Sequence, residues 1–271
     1  MAGRSTGVIL DKAVAVLKKD ALTALRYRNG LVLGGVGTGV QLATFYYLSR
    51  AVGPQFHPEG MPYFLFLLVG TGFFTFLITG MHSFLRTIQE SQQSGTLEVL
   101  MTTSTPPEVF LSLSAISAFA GGLVQLLLYT GVGILLFSPA VSVSLLGCVS
   151  VFVFSVLISI AIGIFAAGLQ ISIHKGSAVL WLLGSSAWLM AGTLFPVDAL
   201  PRPIRLLSNL LPLTHSLTGM RLALLQATSS AGLVHEIEIL AVFSALLLPL
   251  SVTFFSWAVR RARQLGTLCF Y

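Results

Sequence analysis

The sequence predicts an all-α membrane protein, a bundle of six transmembrane helices, and three observations predict it. Hydrophobic residues fill 55% of the 271 positions and charged residues only 9%, against roughly a quarter charged in soluble domains. Mean hydropathy is +0.90. The charges are spaced by long uncharged windows, and a spanning helix needs about 20 such residues to cover roughly 30 Å of hydrocarbon. One membrane bundle accounts for the whole length.

Residues 1–28 form an N-terminal segment before the first window. Leu10, Val14, Leu17, Ala21 and Leu25 recur at helical spacing, while Lys12, Lys19 and Arg26 lie seven apart on another face. This predicts an amphipathic helix lying in the membrane interface. A secretory signal peptide is the rival reading, but its small-residue cleavage site is missing and many charges precede the apolar window.

A membrane domain over 29–259 follows, with spans at about 30–49, 62–85, 108–137, 143–170, 176–195 and 239–259. The first lies between Arg28 and Arg50, the second between Glu59 and Arg86, the last between Glu238 and Arg260. The window from Val109 to His174 is too long for one helix and breaks at Ser138-Pro139, so it gives the third and fourth spans. The fifth lies between Lys175 and Asp198. In the first span Gly30 with Gly34, and Gly35 with Gly39, permit close helix packing.

Between the fifth and sixth spans, Pro196, Pro201, Pro203 and Pro212 break the chain too often for a spanning helix. The stretches between them are too apolar for a solvated loop. Short re-entrant helices dipping into the outer leaflet satisfy both facts if protein or a water-filled cavity shields their loose backbone. A helix packed on the outer surface of the bundle is the alternative.

The net charge of +6 comes mostly from Lys12, Lys18, Lys19, Arg26 and Arg28 before the first window and Arg260, Arg261 and Arg263 in the tail, 260–271. Flanking basic clusters place both termini in the cytoplasm, which agrees with an even number of spans in a cell (inner or plasma) membrane. No basic stripe with interleaved aromatics is present, so nucleic acid is not an expected partner. Cys148 and Cys269 are too far apart in the predicted topology to be assumed paired.

The segment from Arg86 to Glu108 is a polar island between uncharged windows. A carboxylate at the membrane centre costs roughly 2.5–3.5 kcal/mol on insertion scales, so Glu90, Glu98 and Glu108 keep the island outside the bilayer. After two spans from a cytoplasmic start it faces the cytosol. Leu97, Leu100 and Met101 share one helix face and Glu90 and Glu98 lie two turns apart, as in a short amphipathic helix. Pro106 and Pro107 then begin the third span.

Reactive constellations are missing. No Gly-x-x-x-x-Gly-Lys-Ser/Thr phosphate loop occurs, and His235-Glu236 lacks a second histidine at Ile239 for a zinc site. Gly184-Ser185-Ser186 has no histidine near the middle of a span to act as its base. Acids and histidines are likewise missing from the predicted span centres, where ion-coupled carriers place them. His82, beside Arg86, reads as an interfacial histidine. A transporter of this composition needs an external motor.

Glu90, Gly95-Thr96-Leu97-Glu98 and Leu100 before a Thr/Pro turn resemble the cytoplasmic signature of ABC-2 type exporter permeases. The resemblance extends to Pro196, Pro201, Leu211-Pro212-Leu213-Thr214 and Arg221 before the last span, and to the basic helix before the first. It implies that the island is a coupling helix docking on an ABC ATP-binding subunit, with Glu90, Gly95, Thr96, Leu97, Glu98 and Leu100 at the contact. It implies no cofactor in this chain, with ATP and Mg on the partner, and no enzymatic role for the chain itself. It also implies a second permease copy, identical or related. The expected function is outward movement of a lipid, lipid-linked glycan or amphipathic drug. A polysaccharide or O-antigen-type export permease and a non-transporting membrane assembly subunit are the alternatives. Tyr63, Phe64, Phe66, Phe73, Phe74 and Phe76 could line an apolar path, or equally pack the core or meet lipid.

Overall fold

The computed structural model describes residues 28–93, 107–137, 143–173, 175–225 and 231–265. Its described residues are all-α, with no strand among them. The helices are α1 (Arg28–Val52), α2 (Tyr63–Gln93), α3 (Pro107–Phe137), α4 (Leu145–Ile173), α5 (Gly176–Met190), α6 (Arg202–Asn209), α7 (Pro212–Leu225) and α8 (Ala231–Leu265). Short 3-10 turns occupy Pro58–Gly60 and Val197–Ala199. The predicted interfacial helix lies outside the described residues.

Four described helices are long and apolar enough to cross a membrane: α2, Ala115–Leu136 of α3, α4 and Ala231–Gln264 of α8. Their exteriors carry bare apolar side chains such as Leu127, Leu128, Leu135, Leu146 and Leu246. Such faces are stable against acyl chains, not against water. The protein is therefore a multi-pass membrane protein.

Two predicted spans take a different form. α1 has the length, 25 residues, but is not among the helices apolar enough by the same measure. α5 is apolar but has only 15 residues, about 22 Å at 1.5 Å per residue, short of roughly 30 Å of hydrocarbon. The predicted stretch 176–195 stops being helical at Met190 because Gly192 adopts φ +77°, the left-handed conformation that ends helices, and Phe195-Pro196 follows. At the other end of the chain, the expected tail begins as helix: α8 continues through Arg260, Arg261 and Arg263. Arg261 lies over the Trp257 ring at 5.5 Å, and cations are favourable at a helix C-terminus.

α2 is the central helix. In its most apolar window 83% of residues are buried, against 17% for α3. Phe76 stacks on Phe152 of α4 at 5.2 Å and meets Phe119 of α3 at 5.6 Å. The Ser159 hydroxyl of α4 donates to the Leu77 carbonyl at 2.7 Å. α4 and α8 form a second core in which Phe84 of α2 joins Ala167, Ile171, Phe255 and Val259. α1 packs on α2 through Leu42, Phe45 and Tyr46, while Gly34, Gly35, Gly37 and Gly39 face open space. The aromatics from Tyr63 to Phe76 are all buried and pack the core, and Phe76 also borders a cleft on the α1 and α3 side.

Candidate functional site

The two ends of α2 hold the groups that the sequence singles out. At 31 residues α2 is about 46 Å long, so it outruns the hydrocarbon by several turns. Its last turns carry Glu90, whose Oε1 meets Arg86 Nε at 2.6 Å on the surface. Glu90 thus lies on the extension of α2. Gly95, Thr96, Leu97, Glu98 and Leu100 lie outside the described residues. α3 starts at Pro107, where a missing N–H and a fixed φ suit a first helical turn.

Beside Glu90, Gln92 is 5% exposed and Gln170 of α4 is 1% exposed. Gln170 Nε2 donates to Gln92 Oε1 at 3.3 Å, and Gln170 Oε1 accepts from the Gly176 N–H at 3.1 Å. A Cβ at position 176 would stand 2.4 Å from the Ala166 carbonyl oxygen, so only glycine lets α5 start this close to α4. The end of α2, the end of α4 and the start of α5 meet in one buried amide node. Sequence reasoning missed it, although a glutamine closing an uncharged span is the kind of costly residue that needs a partner.

At the opposite end of α2, the prolines shape a cap. Pro196, with ψ 143°, precedes the Val197–Ala199 turn, and Pro201, with ψ 146°, precedes α6. Pro212 opens α7. The bend between α6 and α7 is tied to the end of α5: Ser208 Oγ donates to the Met190 carbonyl at 2.7 Å, and Thr214 Oγ1 donates to the Ser208 carbonyl at 2.7 Å. Leu211, Pro212 and Leu213 share an apolar cavity of about 60 Å³ with Ile78, Met81 and Leu180. The bend therefore reaches about halfway along α2, and α7 returns through the bundle between α2, α4 and α8.

That return carries Arg221 and His215 inside. Arg221 is 0% exposed; its Nη2 donates to the Gly192 carbonyl at 2.7 Å and, more weakly, to that of Phe66 at 3.4 Å. Its guanidinium lies 3.5 Å from the Phe66 ring centroid. Glu59 Oε1 stands 3.5 Å from Nη1, and Glu59 holds φ +54°, a strained conformation for a residue with a side chain. Burial raises the Glu59 pKa; the Arg221 charge offsets this in part, and Asp198 and Glu236 add to it. A Cβ on Gly70 would come within 2.4 Å of Nη2, so α2 makes room for Arg221 with a glycine.

His215 bridges α7 to α8 and to the end of α6. Its Nδ1 lies 2.7 Å from Glu236 Oε2 and its Nε2 lies 2.9 Å from the Asn209 carbonyl. A carboxylate at one nitrogen and a carbonyl at the other favour the imidazolium. Burial lowers its pKa, but the hydrogen bonds to Glu236 and Asn209 and the Glu236 charge outweigh it, and the net shift is upward. The sequence named Arg221 within the re-entrant segment but not its pairing with Glu59 or the His215–Glu236 pair, because no local spacing joins these partners.

A family model described as ABC-2 type transporter matches residues 12–225. No curated protein matches the chain.

Proposed function

This chain belongs to the ABC-2 type transporter family, and we propose that, as its membrane permease subunit, it exports an amphipathic substrate using ATP hydrolysed on a partner. The partner is an ABC ATP-binding subunit that carries the ATP and Mg and docks on Glu90, Gly95, Thr96, Leu97, Glu98 and Leu100. In this reading the chain crosses the cell membrane six times, with α1 as one span and the short α5, completed by residues 191–196, as another, and both termini are in the cytoplasm. α6 and α7 are the re-entrant outer segment. A second permease copy packs on α1, and its bare glycine face supports this. The cargo is a lipid, a lipid-linked glycan or an amphipathic drug.

The single observation that carries the reading is the continuity of α2. One helix joins the amide node beside the coupling contact to the Arg221 anchor of the outer cap. Gln92 and Phe66 are separated by 26 positions, about 39 Å along the axis. A push on the cytosolic extension therefore reaches the outer cap through a rigid element, without a chain of loose contacts. The pairs Glu59–Arg221 and Glu236–His215 hold α7 against the turn before α2 and against α8, so a tilt of α2 strains the first.

The test is ATP hydrolysis by the reconstituted complex of the chain with its ATP-binding subunit. Stimulation by transported amphiphile supports the reading. A non-transporting assembly subunit shows none, and transport sustained by a proton gradient without ATP replaces the motor.

A further inference from the structure

α2 carries a hydroxyl side chain at every fourth position from Thr71 through Thr75, Thr79, Ser83 and Thr87 to Ser91. Four of them, Thr79, Ser83, Thr87 and Ser91, donate to carbonyls of their own helix at 2.7–2.9 Å. Thr71 begins the row, and it opens on a cleft of about 50 Å³ between α1, α2 and α3. Thr38, Gln41, Thr71, Thr75, Gln125 and Tyr129 are among the polar residues of its wall, with Thr79 beside them.

Thr71 and Tyr129 are 5% and 7% exposed, and neither hydroxyl has a hydrogen-bond partner among the described residues. A buried hydroxyl left unpaired is destabilising, and in a bilayer no bulk water relieves it. The Tyr129 ring is pinned by close packing, since a Cβ at Gly72 would stand 2.9 Å from it. Two unpaired groups fixed in one cleft call for a third partner that offers both donors and acceptors.

The chemistry of that partner follows from the wall. Among the described residues no charged side chain lines the cleft, so a charged head group would be desolvated there without compensation. Hydroxyl and amide groups match an uncharged, hydroxyl-bearing one. The space holds about three to four water-sized groups, enough for the polar edge of a ring. Thr75 and Gln125 are exposed, so the cleft is open to the side. Val36 and Val40 on α1 and Val124 and Leu128 on α3 are exposed apolar residues of the flanking helices. They suit an apolar chain attached to the bound group.

We propose that this cleft binds the uncharged, hydroxyl-bearing head group of an amphiphile, with Thr71 and Tyr129 as the central hydrogen-bonding pair and Gln41 and Gln125 at the rim. This rests on the transport reading only in making the bound amphiphile a cargo. The test uses the full chain in lipid nanodiscs, without ATP or a partner subunit, labelled by a photoreactive alkyl glucoside. Saturable labelling of peptides from α1, α2 and α3 is expected, competed by unlabelled alkyl glucoside and not by an alkyl phosphocholine.

Thr71→Val with Tyr129→Phe removes both hydroxyls and should weaken labelling about tenfold, with thermal unfolding unchanged or raised. Gln125→Ala, at an exposed position, should weaken it several-fold and leaves the fold untouched. Labelling that ignores the head group, or that persists at full affinity in both variants, overturns the proposal. So does efficient Gln125→Cys cross-linking between two copies, which would make the second copy the occupant. Because no ATPase is present, failure here leaves the coupling contact standing, and failure of that contact leaves this measurement valid.

Discussion

Arg221 concentrates the stability argument in one side chain. It is fully buried, two of its nitrogens lack a hydrogen bond, and Glu59 is its charge partner. Removing one member of a buried pair costs about 3–5 kcal/mol, and Arg221→Met should lose about 3 kcal/mol because Glu59 keeps some contact with solvent. Gly70→Ala should destabilise the same contact by crowding Nη2. Thermal unfolding of the purified variants checks both, and wild-type stability in either removes Arg221 as an anchor. His215 gives a pH dependence with a defined sign. Its folded pKa is raised above the ordinary 6.5, so its contribution is complete below that value and is lost as pH rises through the folded pKa. The unfolding temperature of the wild type should fall more steeply over that rise than that of His215→Gln; equal slopes would refute the clamp. Arg221 was legible in the sequence through the proline-rich pattern around it. Glu59 was visible only as the edge of a window, because its partner lies 162 positions away and no local spacing joins them.

Elements were legible where period and charge agree. The predicted third span, 108–137, and the observed α3 coincide to within a residue, since an uncharged run bounded by Pro107 and Ser138-Pro139 leaves little freedom. α2 and α8 run beyond their predicted ends by about two turns each at the basic side. Charge counting marks where a helix leaves hydrocarbon, and an i, i+4 pair such as Arg86–Glu90 carries the helix onward in water. α5 is the reverse case. Composition extended it to 195, while Gly192 ends it inside the apolar window. The node of Gln92, Gln170 and Gly176 gives these elements a shared mechanical point. Gln170→Leu deletes both of its hydrogen bonds, each worth about 1 kcal/mol, without touching the docking surface. Transport should fall several-fold while ATPase association stays at wild-type level. A joint loss of both would show that the node serves the fold alone.

At the scale of the molecule, composition sufficed for the class and the family signature for the role. The proposed ATPase contact was read from Gly95 to Leu100 through the family resemblance, and those residues lie outside the described ones. α7 was the element whose placement most changed the picture: apolar and proline-flanked, it returns through the bundle with two charged side chains held by Glu59 and Glu236. The whole then reads as one lever, α2, clamped at one end by amides and at the other by a buried guanidinium. The most direct test of that account is substrate-stimulated ATP hydrolysis in vesicles holding the complex, compared between the wild type and Leu97→Arg with Glu98→Ala. The account predicts that the variant loses both association with the ATP-binding subunit and stimulation by substrate, while its permease remains folded. Undiminished association and stimulation in the variant would contradict it.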